Sequence, residues 1–236
     1  MKKVVLIGLA LAFSLCFFST GALSADIDLA KKSTLEDITK RGELRVGFDA
    51  SYPPFELTDS QGRFVGFDID VAKEMAKAMG VKFVPVNTAW DGIIPALVTK
   101  KFDIIISGMT VTQERNLSIN FADPYIIVGQ TILLNKKHEG TVTSYKDLND
   151  PKYTITSVLG TTGEQAVKRM IYKAEYKSFE EESEAALEVL NGKADAMVYD
   201  LPFCVQFMAK QGKGKMVFLD EAFTYEPLAW AIRKGD

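Results

Sequence analysis

The stretch from Ser107 to Arg115 carries the residue types that bind a small anion. It follows an apolar run that predicts a buried strand, and it offers hydroxyl groups, a glycine that opens the backbone, and an arginine at the start of a predicted helix. A guanidinium is a rigid planar fork that matches a carboxylate in two parallel hydrogen bonds. Free N–H groups at a helix start add positive potential. The stretch therefore predicts a receptor for a small anion, most simply a carboxylate.

Further polar and aromatic residues follow the other predicted strands, and together they match the groups of a free amino acid. The α-carboxylate suits Arg115, the α-ammonium suits Asp200, and the side chain would lie between two aromatic rings. Exclusion of water would strengthen each contact, because an unpaired polar group is costly to bury. The candidates are Asp49, Tyr52, Trp90, Ser107, Gly108, Thr110, Arg115, Thr161, Thr162, Tyr199 and Asp200.

Each candidate also has a plainer interpretation. Arg115 could be a surface arginine, and Trp90 could belong to the core. Thr161 stands three residues before a glutamate, which fits a capping box, and Asp200 could cap the helix that follows it. The acidic run 180–182 is predicted to be a solvated face.

The N-terminus is typical of a secretory signal. Lys2 and Lys3 precede an apolar run over residues 4–18, and small residues follow. We expect a cleaved signal peptide over residues 1–25. The apolar run is too short to favour a membrane span, and we expect the mature protein to work outside the cytoplasm.

Charge and composition argue against several classes of function. Without the signal, 26 basic residues face 31 acidic ones, which disfavours a nucleic-acid partner. Cys204 then has no cysteine to pair with and is predicted to be a small buried residue. His138 is the only histidine and is predicted to be a solvated loop residue. We therefore expect no metal site, no cofactor and no histidine-dependent catalytic pair.

The chain alternates predicted strands and helices, twice over, which favours two α/β lobes with ligands at the carboxyl ends of the strands. Pro95 is expected near the first turn of its helix, and Ser178-x-x-Glu181 is expected to open another helix. The predicted strands are 43–48, 81–86, 102–106, 153–158, 195–199, 216–219 and 228–232, and the main helices are 68–79, 91–100, 161–171, 178–191 and 203–210.

These motifs resemble the periplasmic solute-binding proteins, family 3, that bring polar amino acids to ABC importers. The resemblance runs from Leu35 to Lys234, and its segments in order are Gly47–Glu56, Val65–Asp70, Trp90–Leu97, Ser107–Arg115, Gly160–Gly163 and Ala194–Ala196. It implies the two-lobed type II fold on a two-stranded hinge. Lobe I would be 26–129 and 223–236, and lobe II 130–222. Relatives usually continue past Asp236 with helices that pack on lobe I, so the usual C-terminal helices are expected to be lacking, as in a fragment or a shortened gene product.

The resemblance also implies a role for each candidate. Arg115 would clamp the α-carboxylate with help from Thr110 and from Thr161 and Thr162, while Asp200 and the Gly108 carbonyl would take the α-ammonium. Tyr52 and Trp90 would pack on the ligand side chain, Asp49 would face its distal end, and Ser107 would line the floor.

The resulting expectation is a non-catalytic, monomeric periplasmic receptor that captures a free L-amino acid and presents it to an ABC permease in the inner membrane. Asp49 favours a polar or cationic side chain without fixing which one. One alternative is an enzyme resembling the periplasmic cyclohexadienyl dehydratases, which act on prephenate or arogenate, with Asp200 as the general acid or base. Another is a sensor module that reports to a separate membrane receptor.

Overall fold

The computed structural model describes residues 33–219 and 221–236. The predicted signal peptide, 1–25, lies outside these residues. The helices are α1 (Thr34–Arg41), α2 (Phe67–Ala78), α3 (Trp90–Val98), α4 (Gln113–Asn116), α5 (Thr162–Met170), α6 (Glu182–Leu190) and α7 (Leu201–Phe207). The strands are β1 (Glu43–Phe48), β2 (Leu57–Thr58), β3 (Phe64–Val65), β4 (Lys82–Asn87), β5 (Ile104–Ile105), β6 (Ile119–Phe121), β7 (Ile126–Val128), β8 (Gln130–Asn135), β9 (Thr154–Val158), β10 (Glu175–Phe179), β11 (Ala196–Asp200), β12 (Met216–Leu219), β13 (Glu226–Leu228) and β14 (Ala231–Arg233).

The first sheet, in lobe I, has five strands in the order β4-β1-β5-β14-β6. β1 runs parallel to β4 and β5, and β14 lies between β5 and β6 and runs antiparallel to both. Because helices cover a parallel sheet on both faces, its strands are apolar on both sides. Val46, Phe48 and Ile105 are accordingly fully buried.

The second sheet, in lobe II, also has five strands, in the order β10-β9-β11-β8-β12. β9 pairs in parallel with β10 and β11, whereas β8 runs antiparallel to β11 and β12. Leu133, Ile155 and Val198 are fully buried in its core. The predicted α/β architecture of two sheet-containing lobes is therefore confirmed.

The chain crosses between the sheets at two neighbouring places. β7 leads through Gly129 into β8, and β13 returns the chain from β12 to the first sheet. β7 and β13 pair as an antiparallel two-stranded ladder. This ladder is the predicted two-stranded hinge, while the lobe limits 26–129, 130–222 and 223–236 stay a prediction. Among the described residues, no helix is long and apolar enough to cross a bilayer.

Three expectations about the elements are wrong. Ser178 lies in β10, whose pairing with β9 wins over the local capping signal, and α6 begins at Glu182. Pro95 lies beyond the first turn of α3. It is tolerated there because the carbonyl deprived of its N–H donor belongs to Asp91, which is exposed in the first turn. The predicted strand 228–232 is divided where the chain leaves the hinge ladder, at Leu228, and enters the first sheet.

Candidate functional site

The strand ends of both lobes meet around one cavity, which holds about 340 Å³ of space not filled by atoms. All eleven candidates from the sequence line it. One further residue, Glu182, was not among the candidates and lines it as well. The lining residues are Asp49, Tyr52, Trp90, Ser107, Gly108, Thr110, Arg115, Thr161, Thr162, Glu182, Tyr199 and Asp200.

Arg115 is held in the cavity wall by hydrogen bonds and by a contact with an aromatic ring. Its backbone N–H donates to the hydroxyl of Thr112, the N-cap of α4, at 3.1 Å. Its guanidinium donates to the Thr110 carbonyl at 2.9 Å and to the Gly160 carbonyl at 3.3 Å, and lies 5.2 Å from the centre of the Trp90 ring. Arg115 is only 7% exposed, so the interpretation as a surface arginine is wrong. Burial lowers the pKa of Arg115, and nearby acids oppose that effect.

Asp200 reaches the cavity from the end of β11. Its two carboxylate oxygens accept from the Tyr52 hydroxyl and the Gln130 side-chain amide, each at 2.5 Å. Asp200 precedes α7, yet its side chain makes no capping hydrogen bond, so capping does not explain it. Burial raises the pKa of Asp200 to about 7, against hydrogen bonds from Tyr52 and Gln130 and the charge of Arg115. Tyr52 thus joins lobe I to an acid of lobe II.

Ser107 forms part of the floor with its hydroxyl already engaged. The hydroxyl accepts from the Asp49 N–H at 3.0 Å and donates to the buried Glu56 carboxyl at 2.6 Å. Burial raises the pKa of Glu56 well above its ordinary value. Ser107 therefore fixes the position of the Asp49 backbone, and its hydroxyl proton is directed away from the cavity.

Gly108 lies beside Ser107 in a conformation that requires glycine. Its φ is 49°, and a Cβ at this position would lie 2.4 Å from the Tyr52 ring. Its N–H donates to the buried Asp68 carboxylate at 2.7 Å, and Tyr125 donates to the same oxygen at 2.9 Å. With the N–H engaged, the carbonyl is the backbone group of Gly108 left for a ligand, and its contact with the α-ammonium stays a prediction.

The turn before α5 presents a helix start to the cavity. Thr161 caps the helix, since its hydroxyl accepts from the Glu164 N–H at 3.2 Å and donates to the Val158 carbonyl at 2.7 Å. The capping interpretation of Thr161 is therefore confirmed, and it is compatible with a place in the cavity wall. The Thr162 hydroxyl accepts from Gln130 at 3.2 Å. Backbone N–H groups at this helix start supply positive potential.

Trp90 belongs both to the cavity wall and to the edge of a core. Its ring is partly buried against the apolar cluster of α3 and β5. Its indole N–H donates across the cleft to the Gly160 carbonyl at 3.1 Å. One side chain of lobe I therefore contacts the backbone of lobe II directly.

Glu182 contradicts the prediction that residues 180–182 form a solvated face. It is 4% exposed, and its Oε1 accepts from the Tyr199 hydroxyl at 2.6 Å. Its Oε2 is buried and has no hydrogen-bond partner among the described residues. Because β10 extends to Phe179, the third acid of the run becomes the first residue of α6 and turns inward. The sequence offered one indirect signal for Glu182: its hydrogen-bond partner Tyr199 stands at the end of a predicted strand.

Two other expectations have separate outcomes. Cys204 is free and fully buried, as predicted. His138 is not a solvated loop residue: its side chain is 19% exposed and its Nε2 lies 2.7 Å from Asp195. Across the described part of the chain, no group of three or more histidine, cysteine or acidic side chains is arranged to hold a metal ion.

Comparisons with known proteins agree with this architecture. The family model for bacterial extracellular solute-binding proteins, family 3, matches residues 44–200. A protein described as the binding component of an ABC transporter from Wolinella succinogenes DSM 1740, solved in complex with lysine, is 58% identical. That match covers 83% of this chain and 84% of the other, with a TM-score of 0.80.

Two further proteins extend the comparison. An ancestral amino acid-binding protein of solved structure, described as a precursor of cyclohexadienyl dehydratase, is 52% identical to this chain. The match has a TM-score of 0.81 and covers 86% of this chain and 87% of the ancestral protein. The L-arginine-binding protein of Pseudomonas aeruginosa is 30% identical over an alignment 249 positions long, which covers 100% of this chain and 86% of the relative. The chain belongs to the bacterial extracellular solute-binding proteins, family 3.

Proposed function

We propose that this protein captures a free amino acid, with a cationic side chain favoured, in the periplasm and presents it to an ABC permease of the inner membrane. The observation that carries the proposal is the position of Arg115 and Asp200, which come from different lobes and line one cavity. A guanidinium suits the α-carboxylate, and a buried carboxylate suits the α-ammonium.

The relatives support a cationic ligand. The Wolinella succinogenes protein is in complex with lysine, and the Pseudomonas aeruginosa protein is an L-arginine binder. In this chain Asp49 lies in the cavity wall and is 8% exposed. Burial raises the pKa of Asp49, so a ligand cation would stabilise its ionised form.

Closure of the two lobes over the ligand couples binding to transport. A permease that recognises only the closed arrangement responds to the ligand without touching it. The protein in this proposal is a monomer that uses no metal and no cofactor, and it releases its ligand unchanged. The relationship to cyclohexadienyl dehydratase makes this last point worth a direct test.

The test is calorimetry of the mature protein with lysine, arginine, histidine, glutamine and leucine. We expect at least one cationic amino acid to bind, and Arg115→Ala to abolish that binding while the protein stays folded by circular dichroism. Arg63→Ala is the matched control, since Arg63 is an exposed arginine that pairs with Asp59. Unchanged affinity in Arg115→Ala would contradict the proposal.

Incubation with the ligand, followed by chromatography, should return the amino acid intact. The same assay with prephenate and arogenate should show no conversion above a buffer blank. Conversion of either one would overturn the non-catalytic part of the proposal and favour the dehydratase alternative. Light scattering with and without a chelator tests the monomer and the independence from metal.

A further inference from the structure

The charges around the cavity do not balance for a neutral amino acid. Of the described residues that line it, Arg115 is the one cation, whereas Asp49, Glu182 and Asp200 are acids. In the proposed function, Arg115 takes the α-carboxylate and Asp200 takes the α-ammonium. Asp49 and Glu182 then remain as buried carboxylates without a partner of opposite charge, and a buried unpaired charge is costly.

Glu182 and Asp49 approach the cavity from opposite lobes. Glu182 is the first residue of α6 in lobe II, and Asp49 follows β1 in lobe I. They are close enough for the charge of Asp49 to raise the pKa of Glu182. Burial is the larger cause and brings the pKa of Glu182 to about 7. A cation between the two carboxylates would offset both the repulsion between their charges and the cost of burying them.

Each of these carboxylates has one oxygen already engaged. Glu182 accepts from the Tyr199 hydroxyl through Oε1, and Asp49 accepts from the Ser51 hydroxyl through Oδ1 at 2.8 Å. The Oε2 atom of Glu182 is buried without a partner in the described structure. The oxygens with no donor already bound therefore come from two residues, whereas the other oxygen of each carboxylate keeps only the lone pair that its hydroxyl donor leaves.

This arrangement distinguishes between two kinds of cation. A guanidinium is planar and is best matched by both oxygens of one carboxylate. A primary ammonium is compact and has three donors that can reach oxygens in different directions. From this geometry we infer that Asp49 and Glu182 form a subsite for the terminal ammonium of a lysine-type ligand, in which Glu182 sets the preference for ammonium over guanidinium. The inference rests on the proposed function, since it requires an amino acid bound in the same cavity.

Tyr199 acts as the positioning residue of this subsite. Its ring is buried in the core of lobe II, and its hydroxyl holds Oε1 of Glu182. The hydrogen bond fixes the carboxylate and leaves Oε2 as the free acceptor. Removal of the hydroxyl would free the second oxygen, which is what a guanidinium needs.

The test is calorimetry with lysine, arginine, glutamine and norleucine, which matches the lysine side chain up to the missing ammonium. We expect the wild type to bind lysine at least tenfold more tightly than arginine or norleucine. Glu182→Gln should lose at least tenfold in lysine affinity and change little with norleucine or glutamine. Glu184→Gln is the control, because it removes the same charge from an exposed position of α6 and should leave every affinity unchanged.

Tyr199→Phe is the second variant, and it tests the oxygen argument even if Glu182→Gln does not fold. It should reduce the lysine-to-arginine affinity ratio several-fold, chiefly because arginine gains. An unchanged ratio in Tyr199→Phe, or equal binding of lysine and norleucine by the wild type, would overturn the subsite. The proposed function fails separately, if no amino acid binds to the wild type at all.

Discussion

At the scale of single residues, the cavity is a set of hydrogen-bonding groups whose partners are mostly fixed before any ligand enters. Asp200 has both oxygens engaged by neutral donors, Tyr52 and Gln130. Each oxygen keeps a second lone pair, so an ammonium can still be accepted. Pre-organised acceptors of this kind bind without loss of side-chain freedom.

Asp200→Asn tests the role of this carboxylate. The amide keeps the shape of the side chain but loses the charge that would pair with the α-ammonium. We expect binding of every amino acid to weaken by about 2–5 kcal/mol, the usual cost of removing one partner of a buried charge pair. Calorimetry measures the change, and a loss below about 0.5 kcal/mol would leave Asp200 with a structural role only.

The pH dependence of binding follows from two raised pKa values. Glu182 and Asp200 each have a pKa of about 7, with burial as the main cause. The groups that face Glu182 are Tyr199 from β11 and Asp49 and Ser51 from the loop after β1, while Glu181 adjoins it in its own segment. A bound ammonium stabilises the ionised form of each acid, so the complex holds fewer protons than the free protein.

Affinity should therefore rise with pH until both acids are ionised, above about pH 7. Below that pH, lysine affinity should fall by up to about tenfold per pH unit for each acid that must lose a proton. Glutamine binding requires only Asp200 to be ionised, so the affinity for glutamine should fall about half as steeply with decreasing pH. Calorimetry at several pH values measures both slopes. Equal slopes for lysine and glutamine would show that Glu182 stays outside the binding equilibrium.

The site residues illustrate what a sequence can and cannot predict. Arg115 was predictable because it opens the helix that follows a predicted strand, and Asp200 because it directly follows another predicted strand. Glu182 was not, because in sequence it is one of three consecutive acids, and only the end of β10 decides which of them turns inward. His138 was misjudged for a similar reason, since its partner Asp195 is distant in the chain.

At the scale of elements, the two sheets and their order of strands and helices follow from hydrophobic periodicity, which is strong in buried parallel strands. Element limits were less predictable. The sequence around Ser178 fits both a strand and a capped helix, and pairing with β9 decides the outcome. The break between β13 and β14 depends on which neighbour each strand finds, and local residue types carry no such information.

Gly108→Ala tests the loop that connects β5 to the cavity. The new methyl group would meet strain from the positive φ and would also collide with the Tyr52 ring. Tyr52 holds Asp200, so its displacement should weaken amino-acid binding as well as stability. We expect a loss of roughly 1–3 kcal/mol in unfolding free energy, measured by urea denaturation, and a loss of affinity measured by calorimetry.

Gly62→Ala is the matched control for this loop. Gly62 has a positive φ of 75°, but nothing lies within 4 Å of a Cβ at this position. The control should lose only the part of the stability that comes from backbone strain, about 1 kcal/mol, and should bind normally. Equal effects on affinity in the two variants would mean that contact with Tyr52 does not shape the cavity.

At the scale of the whole molecule, the two lobes meet directly across the cleft. Trp90 and Arg115 of lobe I both donate to the carbonyl of Gly160 in lobe II. These contacts require the lobes to be close together, and they do not depend on which amino acid is bound. These two contacts should therefore set how long the closed form persists, whereas the other side chains of the cavity wall set which ligand is held.

Trp90→Phe separates these two contributions. Phenylalanine keeps an aromatic face towards the cavity but lacks the indole N–H that bonds to Gly160. A hydrogen bond of this kind contributes about 1 kcal/mol, so we expect the dissociation rate to rise on the order of fivefold for every ligand that binds. The association rate should change little, because it precedes closure. Stopped-flow fluorescence measures both rates.

Gln165→Ala provides the comparison for this closure test. Gln165 of lobe II donates to Glu114 of lobe I at 3.4 Å, in an exposed position. Water competes for such a contact, so its removal should alter dissociation less than twofold. If Trp90→Phe instead slowed association, or changed dissociation for some ligands and not for others, Trp90 would act on the ligand side chain rather than on closure. The buried position of Arg115 under the same ring favours closure, because the Gly160 carbonyl binds both side chains at once.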